Sequence, residues 1–239
     1  IVPHILPADK NQLLKNINNW VSDDRGYWFT SENGFGYYDV FNNSLQVLNQ
    51  HVIFASGQRV TGNIARATEK NYWVTLKRSG ILVYDRVAKK DTVIFGDKNK
   101  PDNTYGNAIY DLQKGTDGHV WFTSRNKLYR VNPHDFSYKI YSAPRTNEKV
   151  AETKISPLRI LFTKSGRMFV CSHLRIYEFK SGELVTVYPA KGFSNFSIEK
   201  INEDALQNVW VQTDNGVFKT DTGFSRWESM NNLPGWGDS

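Results

Sequence analysis

The sequence predicts an all-β protein, a β-propeller built of four-stranded antiparallel blades, and three observations predict it. A short pattern of turn, aromatic strand, turn and third strand, clearest at 117–129, recurs along the 239 residues. Its marker aromatic returns at intervals of 41 to 48 residues, and a strand-built period in the forties is typical of propeller blades. The composition is 39% hydrophobic and 14% aromatic, which is enough for a packed core and excludes global disorder.

The copy at 117–129 shows what one repeat contains. Asp117 and Gly118 form a tight turn, because Gly tolerates positive φ and the Asp side chain bonds its own backbone. Residues 120–123, Val-Trp-Phe-Thr, favour a strand because they are aromatic and β-branched. A second turn at 124–126 and a third strand at 127–131 follow, and an alternating outer strand at 136–141 completes a blade.

Five copies of this repeat occupy the chain, which we predict to be a single propeller repeat region over 1–239. The repeats cover approximately 17–50, 63–96, 108–141, 158–188 and 197–229. Their marker aromatics are Trp28, Trp73, Trp121, Phe169 and Trp210. We expect each marker to lie in the second strand of its blade. We also expect the four tryptophans to bury large faces between adjacent blades, each contributing about 3–5 kcal/mol to stability.

The sequence does not decide the number of blades. Leu6-Pro7 precedes the first repeat and Leu233-Pro234 follows the last, in the same place relative to the neighbouring strands. The two pairs lie about five periods apart, so the chain starts and stops at the same phase of the repeat. This fits either a ring of five blades or a portion of a larger propeller array, since rings of four to eight blades are ordinary.

Charge and cysteine content exclude several functions. The net charge of +6 is spread through turns and outer strands without a block of like charges, whereas a nucleic-acid face needs clustered basic residues. We therefore expect no nucleic-acid partner. Cys171 is the single cysteine, so it forms neither an intrachain disulfide nor a thiolate metal cluster. Its strand position predicts a small buried hydrophobic residue, and His173, about 7 Å along the strand, is too far away to activate it.

The sequence gives no sign of direct membrane insertion in this region. No run approaches the eighteen apolar residues of a membrane span. The start, Ile1 to Leu6, lacks the basic beginning and the long apolar centre of a signal peptide. Two interpretations follow: a cytosolic protein, or a processed region excised from a longer one.

The repeated residues carry a family resemblance. The order Asp, Gly, Trp, Ser or Thr, Gly and Tyr-Asp resembles the two-component regulator propeller repeat, found in the sensor halves of bacterial hybrid histidine kinases. The first repeat matches it at Asp23, Gly26, Trp28, Ser31, Gly34, Tyr38 and Asp39. Other repeats depart from it, with Asn71 in place of Gly, Phe169 in place of Trp, and Gln207 in the turn. The resemblance implies an extracytoplasmic or periplasmic sensor module that takes part in signal transduction.

Ligand-binding residues are expected in the loops at one end of a propeller, where the turn after the marker strand and the connections between blades come together. Their types, Asn, Arg, Tyr and His, offer the paired donors and acceptors and the flat apolar faces that sugars require. The candidate ligand-binding residues are Asn33, Asn63, Arg78, Tyr105, Arg125, His173 and Asn215.

Two functions from different classes fit the chain. The first is a binding module that senses a small polar ligand, such as a glycan-derived oligosaccharide, or that pairs as a homodimer. The second is an enzyme, because residues 120–123 are also similar to the strand pattern of the streptogramin lyases, metal-assisted propeller enzymes that use His and Glu. The five histidines share no common position in the repeat, and no HExxH, GxSxG or phosphate-binding Gly loop is present. We therefore predict binding without catalysis, with no catalytic residue, no metal and no cofactor.

Overall fold

A computed structural model describes residues 17–31, 34–48, 60–76, 80–96, 108–124, 127–142, 159–172, 175–188 and 197–230. These residues form twenty strands with turns and short connections. The strands make five four-stranded antiparallel sheets, each from four consecutive strands in simple sequence order. The predicted fold class, an all-β propeller of four-stranded antiparallel blades, is confirmed. Across these ranges no helix is present that is long and apolar enough to cross a membrane.

The first two sheets contain eight strands. The strands of the first sheet are β1 (Ile17–Ser22), β2 (Gly26–Ser31), β3 (Gly34–Asp39) and β4 (Ser44–Val47). Those of the second sheet are β5 (Val60–Arg66), β6 (Asn71–Leu76), β7 (Ile81–Asp85) and β8 (Lys90–Ile94).

The remaining twelve strands form three more sheets of the same topology. The third contains β9 (Ile109–Lys114), β10 (Val120–Ser124), β11 (Lys127–Val131) and β12 (Tyr138–Ser142). The fourth contains β13 (Arg159–Phe162), β14 (Met168–Cys171), β15 (Ile176–Lys180) and β16 (Glu183–Tyr188). The fifth contains β17 (Ile198–Glu203), β18 (Val209–Thr213), β19 (Gly216–Thr220) and β20 (Trp227–Ser229).

The marker aromatics lie in the second strand of all five sheets, as predicted. These strands are β2, β6, β10, β14 and β18. Four of the five markers are buried: Trp28, Trp73, Trp121 and Phe169. Trp210 differs, because it stays partly exposed on β18, and the expectation that it is buried between blades is wrong for the described part of the chain. The sheet face that carries Trp210 also carries the polar residues Asn202, Gln212 and Lys219.

The chain divides into two compact units, and each has its own core. The first unit includes the first two sheets and β9, and its core lies between those two sheets. This core contains Trp28, Phe35, Leu48, Ile64, Tyr72, Val74, Leu76, Leu82 and Tyr84. Trp28 is at its centre, with ring centroids 4.4 Å from Tyr72, 4.8 Å from Tyr37 and 5.4 Å from Phe35. Such aromatic contacts add to the stabilisation that comes from buried area alone.

The second unit includes most of β10 and all strands from β11 to β20, and its middle sheet is buried on both faces. In β14, Met168 and Val170 pack with Trp121 of the third sheet. Phe169 and Cys171, which alternate with them, pack with Val209 and Val211 of the fifth sheet. Successive side chains of a strand point to opposite faces, so a strand covered on both sides needs an unbroken apolar run. This explains why Met-Phe-Val-Cys carries no polar alternation.

In the third, fourth and fifth sheets, the turn before the marker strand contains a residue with positive φ. Gly118 has φ 80° and Gly166 has φ 81° in the third and fourth sheets. The fifth sheet has Gln207 instead, and its backbone takes the same left-handed region with φ 64°. A side chain in this region is strained by about 1 kcal/mol relative to glycine. Gln207 therefore preserves the turn, but with this local backbone strain.

Candidate functional site

Most of the predicted ligand-binding residues fall in the same kind of connection, the one between the second and third strands of a sheet. Asn33, Arg78, Arg125, His173 and Asn215 each fall in sequence between the second and third strands of their own sheets. Tyr105 falls in sequence between β8 and β9. Asn33, Arg78, Tyr105, Arg125 and His173 lie outside the described residues, whereas Asn63 and Asn215 are described. These two belong to different compact units.

Asn63 joins β5 to β9, the first strands of the second and third sheets, within the first unit. It lies in β5, and its side-chain amide donates a hydrogen bond to the backbone carbonyl of Tyr110 in β9 at 3.3 Å. Its backbone N–H donates to Thr75 Oγ1 at 3.2 Å, and that hydroxyl is 3.5 Å from the carbonyl oxygen of Asn63. With its amide nitrogen engaged, Asn63 holds the strand ends in position, and this role was not expected from the sequence.

A second hydrogen bond links the first sheet to the same place. Thr30, near the end of β2, donates from Oγ1 to the carbonyl of Gly62 at 2.7 Å, and Thr30 is fully buried. Gly62 has φ 112°, and a Cβ added there would lie 3.0 Å from Cβ of Asn18 in β1. The close approach of β1 and β5 therefore requires glycine at this position. Together these bonds fix the sheet ends from which the connections with Asn33 and Arg78 leave.

In the second unit, hydroxyl side chains brace the same connections. Thr213 Oγ1 accepts a hydrogen bond from the backbone N–H of Asn215 at 3.1 Å and donates to the carbonyl of Gly216 at 3.0 Å. Ser172 Oγ accepts from the backbone N–H of Arg175 at 3.1 Å, across the connection that contains His173. Such bonds restrict a turn before a ligand arrives, which reduces the entropy lost on binding. The Ser or Thr that follows the marker therefore hydrogen-bonds to the backbone of the connection at both positions.

The carboxylate of Asp23, whose side chain is 1% exposed, joins several elements of the first unit. Oδ1 accepts hydrogen bonds from the backbone N–H groups of Arg25 and Gly26 and from the Tyr37 hydroxyl at 3.1 Å. Oδ2 accepts hydrogen bonds from three side chains of the first and second sheets. These donors are Trp28 Nε1 at 2.8 Å, Arg86 Nη1 at 3.0 Å and Tyr72 OH at 3.2 Å.

The ionisation of this cluster follows from its contacts. Burial by itself raises the pKa of Asp23, but the hydrogen bonds from Arg25, Trp28, Tyr37 and Gly26 together hold the pKa below its ordinary value. Burial, followed by the negative charge of Asp23, raises the pKa of Tyr37 to about 12. The cluster is therefore an ionised carboxylate held by neutral tyrosines and one guanidinium. It joins the first sheet to the second through charge-assisted bonds.

The contact between Asp and the marker indole recurs in two other sheets. Trp121 Nε1 donates to Asp117 at 3.1 Å, and Trp210 Nε1 donates to Asp204 at 2.8 Å. The indole of Trp210 and the side chain of Asn208 hold the pKa of Asp204 below its ordinary value. In the fourth sheet Phe169 has no indole N–H, and Thr163 takes the place of the Asp and binds the backbone N–H of Arg167 instead. These carboxylates thus orient the marker aromatics, which is a structural role.

Within the described ranges, no group of three or more His, Cys, Asp or Glu side chains is placed to hold a metal ion. Cys171 is buried in the core between the fourth and fifth sheets, as its strand position predicted.

Comparison with known proteins identifies the class of protein by its fold. No family model matches the chain, and no curated protein matches it in sequence. The extracellular domain of the hybrid two component system BT4673 from B. thetaiotaomicron is similar to it in structure, with a TM-score of 0.67 and 16% identity. That match covers 89% of this chain and 27% of the other. The extracellular domain of the hybrid two component system BT3049 from B. thetaiotaomicron has a TM-score of 0.62 and 15% identity, over 82% of this chain and 25% of the other.

An enzyme of similar structure is also known. Virginiamycin B lyase from Staphylococcus aureus has a TM-score of 0.63 and 16% identity, and the match covers 89% of this chain and 71% of the lyase. The chain is therefore a β-propeller protein, and it spans about a quarter of the length of the two extracellular domains. The resemblance predicted from the repeat is confirmed to this extent: the structures of similar fold include extracellular domains of hybrid two-component systems.

Proposed function

We propose that this chain is a ligand-binding portion of an extracytoplasmic sensor, and that its ligand is derived from a glycan. The observation that carries the proposal is the structural similarity to extracellular domains of hybrid two component systems over 82–89% of the chain. The protein acts by binding and catalyses no turnover. The ligand affinity differs between two arrangements of the sensor, because a ligand that binds both equally shifts no equilibrium.

The geometry supports binding at the connections between the second and third strands. Five of these connections carry Asn33, Arg78, Arg125, His173 and Asn215, whose side chains provide donors and acceptors for sugar hydroxyls. In the described part of each unit, hydrogen bonds stiffen the strand ends next to these connections. A rigid scaffold with variable polar loops at its end is the usual arrangement of a binding protein.

Calorimetric titration with a panel of short neutral and acidic oligosaccharides tests the proposal. We expect saturable binding to at least one of them, weakened about tenfold or more by Arg125→Ala, which is the effect of losing a charged contact. His173→Ala is measured in parallel. Lys139→Ala is the matched control, because Lys139 is an exposed cation on the outer strand β12 and its loss leaves the affinity unchanged. An affinity that falls equally in Arg125→Ala and Lys139→Ala, or no saturable binding to any sugar, contradicts the proposal.

A lyase-like, metal-assisted enzyme is the second candidate, and the similarity in structure to virginiamycin B lyase favours it. Titration with magnesium alone distinguishes the two. Saturable magnesium binding at micromolar concentration that disappears in His173→Ala would replace the sensor proposal with the lyase-like one. The fold does not decide between them, because one fold hosts many activities.

A further inference from the structure

The sequence contains two Asn-Gly pairs, 33–34 and 215–216, and each follows the marker aromatic of its repeat at the same distance. The first asparagine lies outside the described residues, whereas the second pair is described in full. Asn215 and Gly216 belong to the tight connection between β18 and β19, where Thr213 and Gly216 are paired across the two strands. This connection therefore shows the surroundings of one such pair.

An asparagine followed by glycine can react with its own backbone. The backbone nitrogen of Gly216, after losing its proton, attacks Cγ of Asn215. A new C–N bond closes a succinimide ring, while the bond from Cγ to the side-chain nitrogen breaks and that nitrogen leaves as ammonia. Water then opens either carbonyl of the ring, which gives aspartate or isoaspartate. Water is the one co-reactant of this deamidation, and nothing is oxidised or reduced.

The surroundings of Asn215 suit this reaction better than those of the two other asparagines of the fifth sheet. Asn215 is exposed, and Gly216 has no Cβ to crowd the attacking nitrogen. Asn208 is held back, because its side-chain nitrogen donates to Asp204 at 2.9 Å and a valine follows it. Asn202 is exposed, but a glutamate follows it. These two asparagines are internal comparisons for Asn215.

A single hydroxyl restrains the movement that ring closure requires. Thr213 Oγ1 accepts a hydrogen bond from the backbone N–H of Asn215 at 3.1 Å and donates one to the carbonyl of Gly216 at 3.0 Å. The two bonded groups lie on either side of the Cα–C bond of Asn215, and rotation about this bond brings the nitrogen of Gly216 towards Cγ. Thr213 is itself buried, so its hydroxyl does not follow the rotation. The attack therefore requires at least one of the two hydrogen bonds to break.

We propose that Asn215 is a deamidation site of this protein and that the Thr213 hydroxyl keeps its rate low. The product carries a new carboxylate next to Asp214, an exposed residue whose Oδ1 accepts from the backbone N–H of Ser197 at 2.9 Å. Isoaspartate also lengthens the main chain of the connection by one methylene. The modification thus changes both the charge and the shape of this connection. It goes beyond the proposed ligand binding and does not depend on it.

Incubation of the full chain at mildly alkaline pH, followed by tryptic digestion and tandem mass spectrometry, tests the proposal. Residues 201–219 form one tryptic peptide, which contains Asn215 together with Asn202 and Asn208. We expect both aspartate and isoaspartate at position 215, because a succinimide opens to both, and no conversion of the other two asparagines in the same time. Asn215→Gln is expected to stop the reaction, since the longer side chain would have to close a larger ring.

Substitutions at Thr213 test the restraint. Thr213→Val keeps the buried shape without the hydroxyl and is expected to convert about tenfold faster, the effect of losing about 1.4 kcal/mol of hydrogen bonding. Thr213→Ser keeps the hydroxyl and is expected to convert at the wild-type rate. Thr220→Val is the matched control, because it removes another buried hydroxyl at the far end of β19 and leaves the rate unchanged.

Thermal unfolding of each variant confirms that it is folded at the temperature of incubation. Isoaspartate is the diagnostic product, because direct hydrolysis of the side-chain amide gives aspartate alone. The proposal is overturned by an unmodified Asn215 in Thr213→Val, by conversion to aspartate without isoaspartate, or by equal rates in Thr213→Val and Thr220→Val.

Discussion

Asp23→Asn is expected to lower the free energy of unfolding by about 3 kcal/mol or more, the size of effect found when one partner of a buried ion pair is removed. The asparagine amide supplies a donor where Oδ2 of Asp23 now accepts from Trp28, Tyr72 and Arg86. Trp28 and Tyr72 then lose their acceptor in a buried site, and Arg86 loses its ion pair. Urea unfolding followed by tryptophan fluorescence measures the change.

The control and the pH dependence make this prediction specific. Asp24 is 84% exposed, so Asp24→Asn is expected to change stability by no more than about 0.5 kcal/mol. Because the pKa of Asp23 is lower in the folded protein, its contribution is present above the unfolded value of about 4 and is lost as the pH falls further. The difference between wild type and Asp23→Asn should therefore shrink below that pH. If Asp23→Asn were as stable as the wild type at neutral pH, the cluster would not be a structural junction.

Trp121→Ala is expected to lower the free energy of unfolding by about 3–5 kcal/mol, as truncation of a large buried aromatic does. Trp121 is buried against Tyr141, Phe162 and Phe179, and its indole N–H binds Asp117. The substitution leaves a cavity between the third and fourth sheets and removes a donor from the carboxylate. Calorimetric melting measures the loss.

Measuring ligand affinity distinguishes a structural role of Trp121 from a functional one. At a temperature where the variant remains folded, its affinity for oligosaccharide should equal that of the wild type, because the ring is covered by core residues. Phe41→Ala is the matched stability control, since Phe41 is 75% exposed in a turn. Unchanged stability combined with lost binding would reverse the assignment of Trp121 to the core.

The strand pattern of this protein could be predicted from its sequence because the repeat is local. Turn residues, β-branched residues and one aromatic lie within about a dozen positions of each other, and they placed every marker in the second strand. The start of β5 at Val60 was harder to predict, since the sequence placed this repeat near residue 63. The register shifts between Val60 and Ile64, and Gly62 with its positive φ interrupts the apolar alternation there.

The contacts between sheets were not predictable from the same pattern. Arg86 reaches Asp23 from 63 residues away, and Tyr72 reaches it from 49. Nothing in the local sequence of Arg86 distinguishes it from other turn cations, because its partner depends on how two sheets pack. In three repeats an Asp precedes the marker Trp by four to six residues, and its bond to the indole N–H was not predicted from the sequence.

The predicted site residues show the same limit. Their position in the repeat could be inferred from the local sequence, but their contacts with other strands could not. Five predicted residues share one connection because they were chosen by their position in the repeat. Asn63 was chosen because it was expected in a connection between blades, but the structure places it within β5 and commits its amide nitrogen to the carbonyl of Tyr110. Residue chemistry alone does not distinguish an amide that meets a ligand from one that holds two strands together.

Amide hydrogen exchange with and without a saturating mixture of the panel oligosaccharides tests the central claim most directly, namely that the ends of the sheets bind the ligand. The account predicts slower exchange in the connections between the second and third strands and in the strand ends next to them, including Asn215 and Gly216. Exchange in the outer strands β4, β8, β12, β16 and β20 should not change. Protection confined to those outer strands, or no protection anywhere in the chain, would contradict it.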